Sequence, residues 1–566
     1  MMLQRPYIRA VASGVLSSAI LTSAQIVSTS LPVVDLGYEL YRASGFNESR
    51  AYYNFSNIRY AAPPVGDLRF KAPAPPVTNR SVINDGSVGR VCPQARAAWN
   101  AVALEFLGQH LTTGVIPNIS YTNIPNSNIP SDSPRDTRET EDCLFLDVIV
   151  PQKVFESKSN GAGAPVLVWI YGGGYTAGSK ETEGSPSGLL QRSITNCSDG
   201  VIYVAMNYRL GALGWLSGPT FQENGTANAA LHDQRFALQW VQDNIHLFGG
   251  DKNRVTVLGQ SAGGGSVLHQ VTAFGGQAKA PFQQAIAQSP AWLPVPSPYY
   301  QEKTFQTFLK AANVSDLEEA RQLSSEQVIA ANALQVWESP WALASFGPTI
   351  DGDFVTGDPK SLLNHGQFDK SVKLMAAHNT NESLFSTPPI HTDSELDAFV
   401  RSTLPYTSQD VVDHITATLY PPVYNGPDAL YKNPFERLAL ILAEGSTACN
   451  ANALLSARND THGYLFAVSP GLHGQDVPYT YYDPGAASAS GDPSLPFNET
   501  VAFVIQDYIT SFAATGVPAS AADGLPSVPE YGEAGGVVAL TLGGIGVTTD
   551  PAANARCKWW DLNLLS

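Results

Sequence analysis

Basic residues are scarce in this sequence. It has 33 lysines and arginines against 50 aspartates and glutamates, so its formal net charge is −17 at pH 7. A surface with this excess of negative charge repels nucleic-acid backbones and anionic lipid headgroups. The composition therefore argues against nucleic acid and acidic membrane surfaces as partners, and it suits an acidic enzyme that acts on small molecules.

Cysteine is also rare, with 5 residues among 566. No two of these cysteines have the spacing of a zinc-binding pair, so zinc is not expected. We also expect no other metal and no cofactor. In a secreted chain, five cysteines allow two disulfides with one thiol left over, and the spacing does not choose among the possible pairings.

The N-terminal segment lacks an apolar run long enough to span a membrane, which takes about twenty residues. Residues 1–24 instead carry two arginines, a modest apolar stretch broken by glycine and serine, and small residues before Gln25. This pattern predicts a cleaved secretory signal, with a membrane anchor as the alternative. The C-terminus lacks the hydrophobic tail of a glycolipid anchor, so we expect no stable membrane anchor.

Sequons for N-glycosylation are frequent, which fits a secreted, extracellular glycoprotein. The acceptor asparagines of the Asn-x-Ser/Thr pattern are Asn47, Asn54, Asn79, Asn118, Asn196, Asn224, Asn313, Asn381, Asn459 and Asn498.

No linker, repeat or break in composition divides the rest of the chain. With 43% hydrophobic and 15% charged residues, it can bury a large core. We therefore expect residues 25–566 to form one domain, whose oligomeric state the sequence does not indicate.

Apolar runs alternate with amphipathic segments in the first half of the chain. Residues 166–170 and 201–208 resemble strands buried on both faces, and residues 230–248 place Leu231, Leu238, Val241, Ile245 and Phe248 on one helical face. This order predicts an α/β fold with a large, mostly parallel sheet and helices on both faces.

The segment 255–265 combines an apolar run, Gly259-Gln260-Ser261-Ala262-Gly263, and a helix-compatible continuation. This is the pattern of a nucleophile elbow, in which flanking glycines let strand and helix pass close to a strained serine. The alternative is an ordinary serine in a glycine-rich turn.

A nucleophilic serine needs a base and a carboxylate that orients the base, in the chain order serine, acid, histidine for this type of sheet. Six histidines follow Ser261 with room for an acid between: His365, His378, His391, His414, His462 and His473. His473 follows a strand-like run through a Ser-Pro-Gly turn, as a histidine on a loop that leaves a strand should. His269 lies on the helix of Ser261 and cannot turn back towards it.

Three glycines follow the buried strand 166–170, in the sequence Tyr171-Gly-Gly-Gly-Tyr175. Backbone without side chains can approach a substrate closely and donate hydrogen bonds to a developing oxyanion. A phosphate-binding loop is the alternative, but no Lys-Ser/Thr follows the glycines.

Residues 92–143 contain a helical segment, 95–111, with Trp99, Ala103, Phe106 and Leu107 on one face. An Asn-, Ser- and Pro-rich stretch follows it up to Arg138. The segment is either a static surface excursion or a mobile lid over a site.

Together these segments resemble the type-B carboxylesterase/lipase family, the cholinesterase-like α/β-hydrolases, and most of all its secreted fungal members. The resemblance covers nearly all of the mature chain. It rests on RYAAPPVGDLRF, EDCLFLDV, WIYGGGYTAGS, NYRLGALGWL, VTVLGQSAGGG and GLHGQDVPYTYY. It implies the α/β-hydrolase fold and a small-molecule carboxylic ester as substrate.

Catalytic roles carry over by resemblance. Ser261 matches the nucleophile, His473 the base in His-Gly-x-Asp, and Glu382 the acid in the loop after strand 372–377. Asp351 is the rival acid, but it resembles a structural Asp-Gly turn. By the same resemblance the oxyanion donors are Gly173, Gly174 and Ala262, and Ser289 lies close to the acid and the histidine.

The resemblance also implies disulfides and ion pairs. The family's disulfide before EDCL corresponds to Cys92 with Cys143, and a second pair, Cys449 with Cys557, leaves Cys197 free. Two buried ion pairs, Arg69 with Glu141 and Arg209 with Asp233, are expected to be structural.

We therefore expect a secreted serine hydrolase that cleaves carboxylic esters through an acyl-enzyme. One alternative uses the same chemistry for acyl transfer or lactonisation in a biosynthetic route. Another is a non-catalytic, cholinesterase-like binding protein, whose usual mark is a lost serine or histidine. The sequence indicates neither the ester nor its acyl-chain length.

Overall fold

The structure is a computed structural model. It describes residues 31–562 except for 120, 122, 123, 125–135, 160, 197–199, 293–296, 344, 406, 486–494 and 523. The predicted signal segment 1–24 and Cys197 lie outside the described residues.

Fourteen strands are present among the described residues. They are β1 (Val33–Asp35), β2 (Leu40–Arg42), β3 (Gly45–Asn47), β4 (Tyr52–Arg59), β5 (Ile83–Asn84), β6 (Phe145–Pro151), β7 (Ala164–Ile170), β8 (Ile202–Met206), β9 (Gly250–Gln260), β10 (Gln284–Gln288), β11 (Lys373–Asn379), β12 (His462–Phe466), β13 (Gly536–Thr541) and β14 (Gly544–Thr549).

Eighteen α-helices occur in the same part of the chain. They are α1 (Trp99–Thr113), α2 (Gln152–Glu156), α3 (Ser187–Asn196), α4 (Ala212–Trp215), α5 (Pro219–Gln222), α6 (Ala229–Asn244), α7 (Ala262–Thr272), α8 (Pro298–Ala312), α9 (Leu317–Gln322), α10 (Ser325–Trp337), α11 (Pro359–Asn364), α12 (Asp393–Thr403), α13 (Gln409–Asp413), α14 (Pro434–Ala443), α15 (Cys449–Ser456), α16 (Val477–Thr480), α17 (Glu499–Thr515) and α18 (Ala555–Trp560).

One large sheet organises the fold. Its 11 strands have the order β14-β13-β12-β11-β10-β9-β7-β8-β6-β4-β3, and a separate small sheet holds β1, β2 and β5. The pairs from β13 to β8 are parallel, and antiparallel pairs lie towards both edges. The central strands β7, β8 and β10 are buried along their whole length, which explains why β7 and β8 read as continuous apolar runs. The predicted α/β-hydrolase fold, with its mostly parallel sheet, is confirmed.

The parallel strands align their carboxyl ends at one edge of the sheet. Gln260 at the end of β9 pairs with Gln288 at the end of β10, and Gln288 pairs with Ala377 in β11. Asn379 at the end of β11 in turn pairs with Phe466 at the end of β12. Because ligands of open α/β sheets bind at the carboxyl ends of the strands, the loops that leave these strands are the expected place for a site.

A second hydrophobic cluster lies beside the main core. It includes Trp99, Ala103 and Phe106 of α1, and residues from α12 and α14 such as Phe399 and Phe435. A π-helical segment, Glu444–Ala448, joins α14 to α15. The combined helix, Pro434–Ser456, is long and apolar enough to cross a membrane, but 78% of its most apolar window is buried inside the protein. Its composition is therefore accounted for by packing.

Several elements begin later than the sequence pattern suggests. The sequence of residues 141–150 alternates as a strand does, but the strand begins only at Phe145, because Glu141 pairs with Arg69 and Cys143 lies in a disulfide. The helix expected from residue 95 begins at Trp99, since the backbone N–H of Ala95 donates to the Thr176 carbonyl instead. Tertiary contacts override the local pattern at both ends.

Two disulfides and two buried ion pairs hold distant segments together. Cys92 is bonded to Cys143, and Cys449 is bonded to Cys557. The Arg69–Glu141 and Arg209–Asp233 pairs lie within 2.6 Å and 2.7 Å, and all four side chains are buried. The resemblance implied these same pairings.

Candidate active site

Ser261 sits in the sharp turn between β9 and α7. Its φ of 58° lies in the left-handed region, which is unusual for a residue with a side chain. The flanking glycines are sterically required. A Cβ on Gly259 would lie 2.4 Å from the Gly263 carbonyl oxygen, and one on Gly263 would lie 2.0 Å from the Ile170 carbonyl oxygen. The turn thus presents the serine at the carboxyl edge of the sheet.

Ser261, His473 and Glu382 form one hydrogen-bonded chain. His473 Nε2 lies 2.7 Å from Ser261 Oγ, and His473 Nδ1 lies 2.5 Å from Glu382 Oε2. The Glu382 carboxylate is buried, while 26% of the His473 side chain is exposed. The buried carboxylate therefore anchors His473 through Nδ1, while part of the imidazole side chain remains open to solvent.

Electrostatics favour a charged carboxylate in this chain. Burial raises the pKa of Glu382, but the charge and hydrogen bond of His473 and the backbone N–H of Asn379 outweigh it, so the pKa is lowered. Burial likewise lowers the pKa of His473, yet the attraction of Glu382 leaves that pKa above its usual value. The ionised glutamate thus stabilises the imidazolium that forms when the histidine accepts a proton.

The glycine loop after β7 passes directly over the serine. A Cβ on Gly172 would lie 2.9 Å from Ser261 Cβ. Gly173 and Gly174 adopt φ values of 112° and 63° and are exposed, whereas Ala262 is buried at the start of α7. Bare glycine backbone therefore passes close to the serine side chain.

Ser289 follows β10 in the gap between Ser261 and the acid loop. It is fully buried and has a φ of 43°. Its hydroxyl is one of the influences that lower the pKa of Glu382, after those of His473 and Asn379. Its role beside the acid and the histidine stays a prediction.

Two further polar residues, Asn379 and Asp476, lie next to the triad, and the sequence analysis did not predict a role for them. The Asn379 N–H donates to Glu382 Oε1 at 2.6 Å, and its side-chain amide donates to Asp476 Oδ1 at 3.3 Å. Burial raises the pKa of Asp476 to about 6, and the charge of Glu382 adds to the increase. Asp476 is part of the His-Gly-x-Asp motif and Asn379 begins the acid loop, so both motifs contained the signal.

The rejected candidates lie elsewhere. The Asp351 carboxylate accepts from the Asp353 and Val355 backbone N–H groups and closes its own turn. Among the six histidines, His473 is the one in contact with Ser261. His378 instead pairs with the buried Asp550 at 2.8 Å, which helps to raise its pKa to about 9 against the lowering effect of burial.

Helix α1 packs beside the acid loop. The ring of Trp99 packs at a tilt against Phe385, three residues beyond Glu382, with 5.5 Å between the ring centroids, and against Trp341 at 5.6 Å. The four residues expected on its apolar face, Trp99, Ala103, Phe106 and Leu107, are all buried. Helix α1 therefore touches the acid loop through its first residue.

In the described part of the chain, no group of three or more histidine, cysteine, aspartate or glutamate side chains is arranged to hold a metal ion. The side chains that converge at the carboxyl edge are instead a hydroxyl, an imidazole and a carboxylate, with bare glycine backbone beside them. Such an arrangement can deprotonate the hydroxyl and receive a negative oxygen.

Comparison with known proteins gives related matches over nearly the whole chain. The sequence model of the Carboxylesterase family matches residues 41–560. Carboxylesterase patB of Penicillium expansum is 41% identical over 565 residues, which cover 96% of this chain and 98% of that protein. A secreted lipase of Arthroderma benhamiae is 32% identical over 417 residues, covering 71% of this chain and 76% of that lipase. The crystal structure of Aspergillus niger EstA, at 24% identity, superposes with a TM-score of 0.76 over 94% of this chain and 98% of EstA.

Proposed function

Because the chain belongs to the carboxylesterase family and is a carboxylic ester hydrolase, we propose that it cleaves its esters through a covalent acyl-enzyme on Ser261. His473 is the general base and acid, and Glu382 orients it. The hydrogen-bonded chain from Ser261 Oγ through His473 to Glu382 is the observation that carries this proposal.

Acylation begins with the attack of Ser261 Oγ on the carbonyl carbon of the ester. The hydroxyl proton passes to His473 Nε2, and the electron pair of the C=O bond moves to the oxygen. When this tetrahedral intermediate collapses, the bond to the alcohol oxygen breaks and the alcohol leaves with the proton from His473. Ser261 is left as an ester of the acyl group.

Deacylation repeats these steps with water. His473 Nε2 accepts a proton from the water molecule, whose oxygen attacks the acyl carbon. The bond to Ser261 Oγ then breaks, and the serine recovers its proton from His473. The products are one carboxylic acid and one alcohol, and the enzyme returns to its starting state.

The carboxylate of Glu382 and the backbone N–H groups of the oxyanion loop and elbow assist the reaction without exchanging protons. Glu382 holds the proton of His473 on Nδ1, so that Nε2 is free to accept one from the serine, and its charge stabilises the imidazolium. The N–H groups of Gly173, Gly174 and Ala262 stabilise the negative oxygen of both tetrahedral intermediates. The close approach of the glycine loop to Ser261 supports this role.

We also propose that the protein is secreted, with residues 1–24 as its signal and residues 25–566 as one domain. Two disulfides in the fold support export, because disulfides persist in oxidising compartments. The name of the related secreted lipase points the same way. Exposed sequons such as Asn79, Asn224 and Asn459 are the candidates for glycosylation.

The segment 92–143 is proposed to border the mouth of the site as a lid. Its disulfide tethers both ends, and Trp99 of α1 packs against Phe385 beside the acid loop. The contact with Phe385 supports a position of the first helical turn of α1 beside the acid loop. The buried face of α1 packs on the second hydrophobic cluster, and residues 125–135 of the segment lie outside the described residues.

Substitution of Ser261 tests the proposed function. Ser261→Ala should lower kcat on p-nitrophenyl acetate by on the order of a millionfold, because the nucleophile is lost. Ser266→Ala, on the same helix, is the matched control, since this buried hydroxyl contacts Gln234 instead of the histidine. Ser261→Ala with near-normal turnover would refute the assignment. Product analysis with added alcohol would reveal acyl transfer in place of hydrolysis.

A further inference from the structure

Tyr175 is the first residue with a side chain after the three glycines of the oxyanion loop. Its φ of 63° is left-handed, although it is not a glycine, and only 6% of its surface is exposed. Such a conformation costs free energy and persists only where the surroundings hold it. The contacts of Tyr175 must therefore hold its backbone in this conformation.

The side chain of Tyr175 is held at both ends. Its hydroxyl donates to the Ala291 carbonyl oxygen at 2.7 Å. Its ring packs edge-on against Trp215, with 4.9 Å between the ring centroids. Its own carbonyl accepts from the Gly211 N–H at 2.9 Å, so the backbone is fixed as well.

Ala291 connects this tyrosine to the nucleophile. Its N–H donates to the Ser261 carbonyl at 3.0 Å, while its carbonyl accepts from Tyr175. One residue thus bonds to the elbow on one side and to the glycine loop on the other. The path from Tyr175 Oη to the Ser261 backbone contains two hydrogen bonds and one residue.

The helix of the nucleophile leaves space for this hydrogen bond. A Cβ on Gly265 would lie 2.3 Å from Tyr175 Oη and 2.2 Å from the Ala291 oxygen. No side chain fits at that position while the bond exists. The third glycine after Ser261 is therefore explained by the tyrosine and not by the elbow turn itself.

We propose that Tyr175 is a positioning residue, whose hydroxyl fixes the glycine loop relative to Ser261 so that the oxyanion donors are in place before the reaction. The proposal rests on the proposed function of the loop. Oxyanion donors accelerate a reaction only if they are held beforehand, and consecutive glycines have the greatest backbone freedom of any residues. Burial raises the pKa of Tyr175, so the hydroxyl keeps the proton that it donates.

The test compares Tyr175→Phe with Tyr431→Phe. Both changes remove a buried tyrosine hydroxyl that donates to a backbone carbonyl, but Tyr431 contacts Pro421 in the second hydrophobic cluster. For Tyr175→Phe we expect kcat on p-nitrophenyl acetate to fall about 10- to 100-fold, as for a small misplacement of catalytic groups. The rate of Ser261 modification by a fluorophosphonate should fall similarly, because its phosphoryl oxygen occupies the same position as the oxyanion. KM and the pH midpoint of kcat/KM should stay unchanged.

Tyr431→Phe should lower the Tm by about as much as Tyr175→Phe does, and it should leave kcat unchanged. The inference is overturned if Tyr175→Phe keeps kcat within twofold of the unsubstituted enzyme, if both variants lose activity in proportion to Tm, or if Tyr175→Phe alone fails to fold. In each of these cases the hydroxyl is a structural group. If Ser261→Ala still abolishes activity in such a case, the proposed function is retained and only the role of Tyr175 is refuted. A failure of the further inference can thus be distinguished from a failure of the proposed function.

Discussion

Glu382 is a buried carboxylate that its neighbours keep ionised. His473 and the Asn379 N–H hold its two oxygens at 2.5 Å and 2.6 Å. An amide at this position would be close to isosteric but neutral. The charge of this one side chain can therefore be tested without disturbing the packing.

Glu382→Gln should lower kcat by about 10³- to 10⁴-fold with the fold intact, because the imidazole loses the anion that sets its tautomer. Steady-state kinetics on p-nitrophenyl acetate measures this. Asp351→Asn is the matched control, since that carboxylate closes a turn away from the triad. A large loss in Asp351→Asn with near-normal Glu382→Gln would mean that the acid has been misassigned.

The pH profile gives a second readout of the same substitution. The reaction needs neutral His473, and the pKa of His473 is raised, so kcat/KM should fall as the pH drops through a value above about 6.5. In Glu382→Gln, burial still lowers the pKa of His473 while the attraction is gone. The acid limb should therefore shift to lower pH, and an unshifted limb would contradict the account.

Individual site residues were predictable where a sequence motif contains them, but not where their contacts connect different strands. Ser261 was readable because its glycines have a steric cause that acts within a few residues. Asn379 and Asp476 lie 97 positions apart, and their contact exists only because β11 and β12 are neighbours. The strained backbone of Tyr175 has no local sequence signal of comparable strength.

At the scale of elements, the segment 92–143 is the part whose role bears on the substrate. Its helix presents the apolar face that the sequence predicted, and that face is buried. The helical period was enough to predict the face. It could not predict that the partner would be a second cluster, since residues as distant as Phe435 supply the other side.

Shortening residues 112–138 should change the preference between short and long acyl chains and leave the acetate ester nearly unaffected. The physical reason is that a lid contributes apolar surface to a long chain and none to an acetyl group. Rates on p-nitrophenyl esters from acetate to palmitate measure the effect. The disulfide Cys92–Cys143 should be retained in the shortened variant.

The same profile for a folded shortened variant as for the full chain would show that the segment is a static surface excursion. Replacing exposed Leu104 by alanine, on the opposite face of α1 from Trp99, is the matched control, because it changes the helix without shortening the flap. It should leave the profile unchanged.

At the scale of the whole molecule, the α/β class was predictable because buried parallel strands such as β7 and β8 read as apolar runs, whereas β10, with glutamine at both ends, was not predicted. The edge strands of the large sheet were less predictable. The strands β3 and β14 pair with only one neighbour each, and β14 is mostly exposed, so neither carries a clear hydrophobic pattern. Edge strands are specified mainly by their partners.

The bond between Cys449 and Cys557 ties α15 to α18 near the end of the chain and spans 108 residues. In the chain-entropy model a loop of this length contributes about 4 to 5 kcal/mol to the free energy of unfolding. Replacing both cysteines by alanine should lower the urea midpoint accordingly. Replacement of exposed Val423 by alanine serves as a control that should leave the midpoint nearly unchanged. Peptide mapping that found either thiol free in the folded protein would contradict the pairing.

The central claim is that Ser261 forms a covalent acyl-enzyme, and active-site labelling tests it most directly. The folded protein is treated with a fluorophosphonate, digested, and the modified peptide is identified by mass spectrometry. We predict a single adduct on Ser261, formed in parallel with the loss of esterase activity and absent from Ser261→Ala. An adduct on another residue, or labelling that survives in Ser261→Ala, would contradict the account.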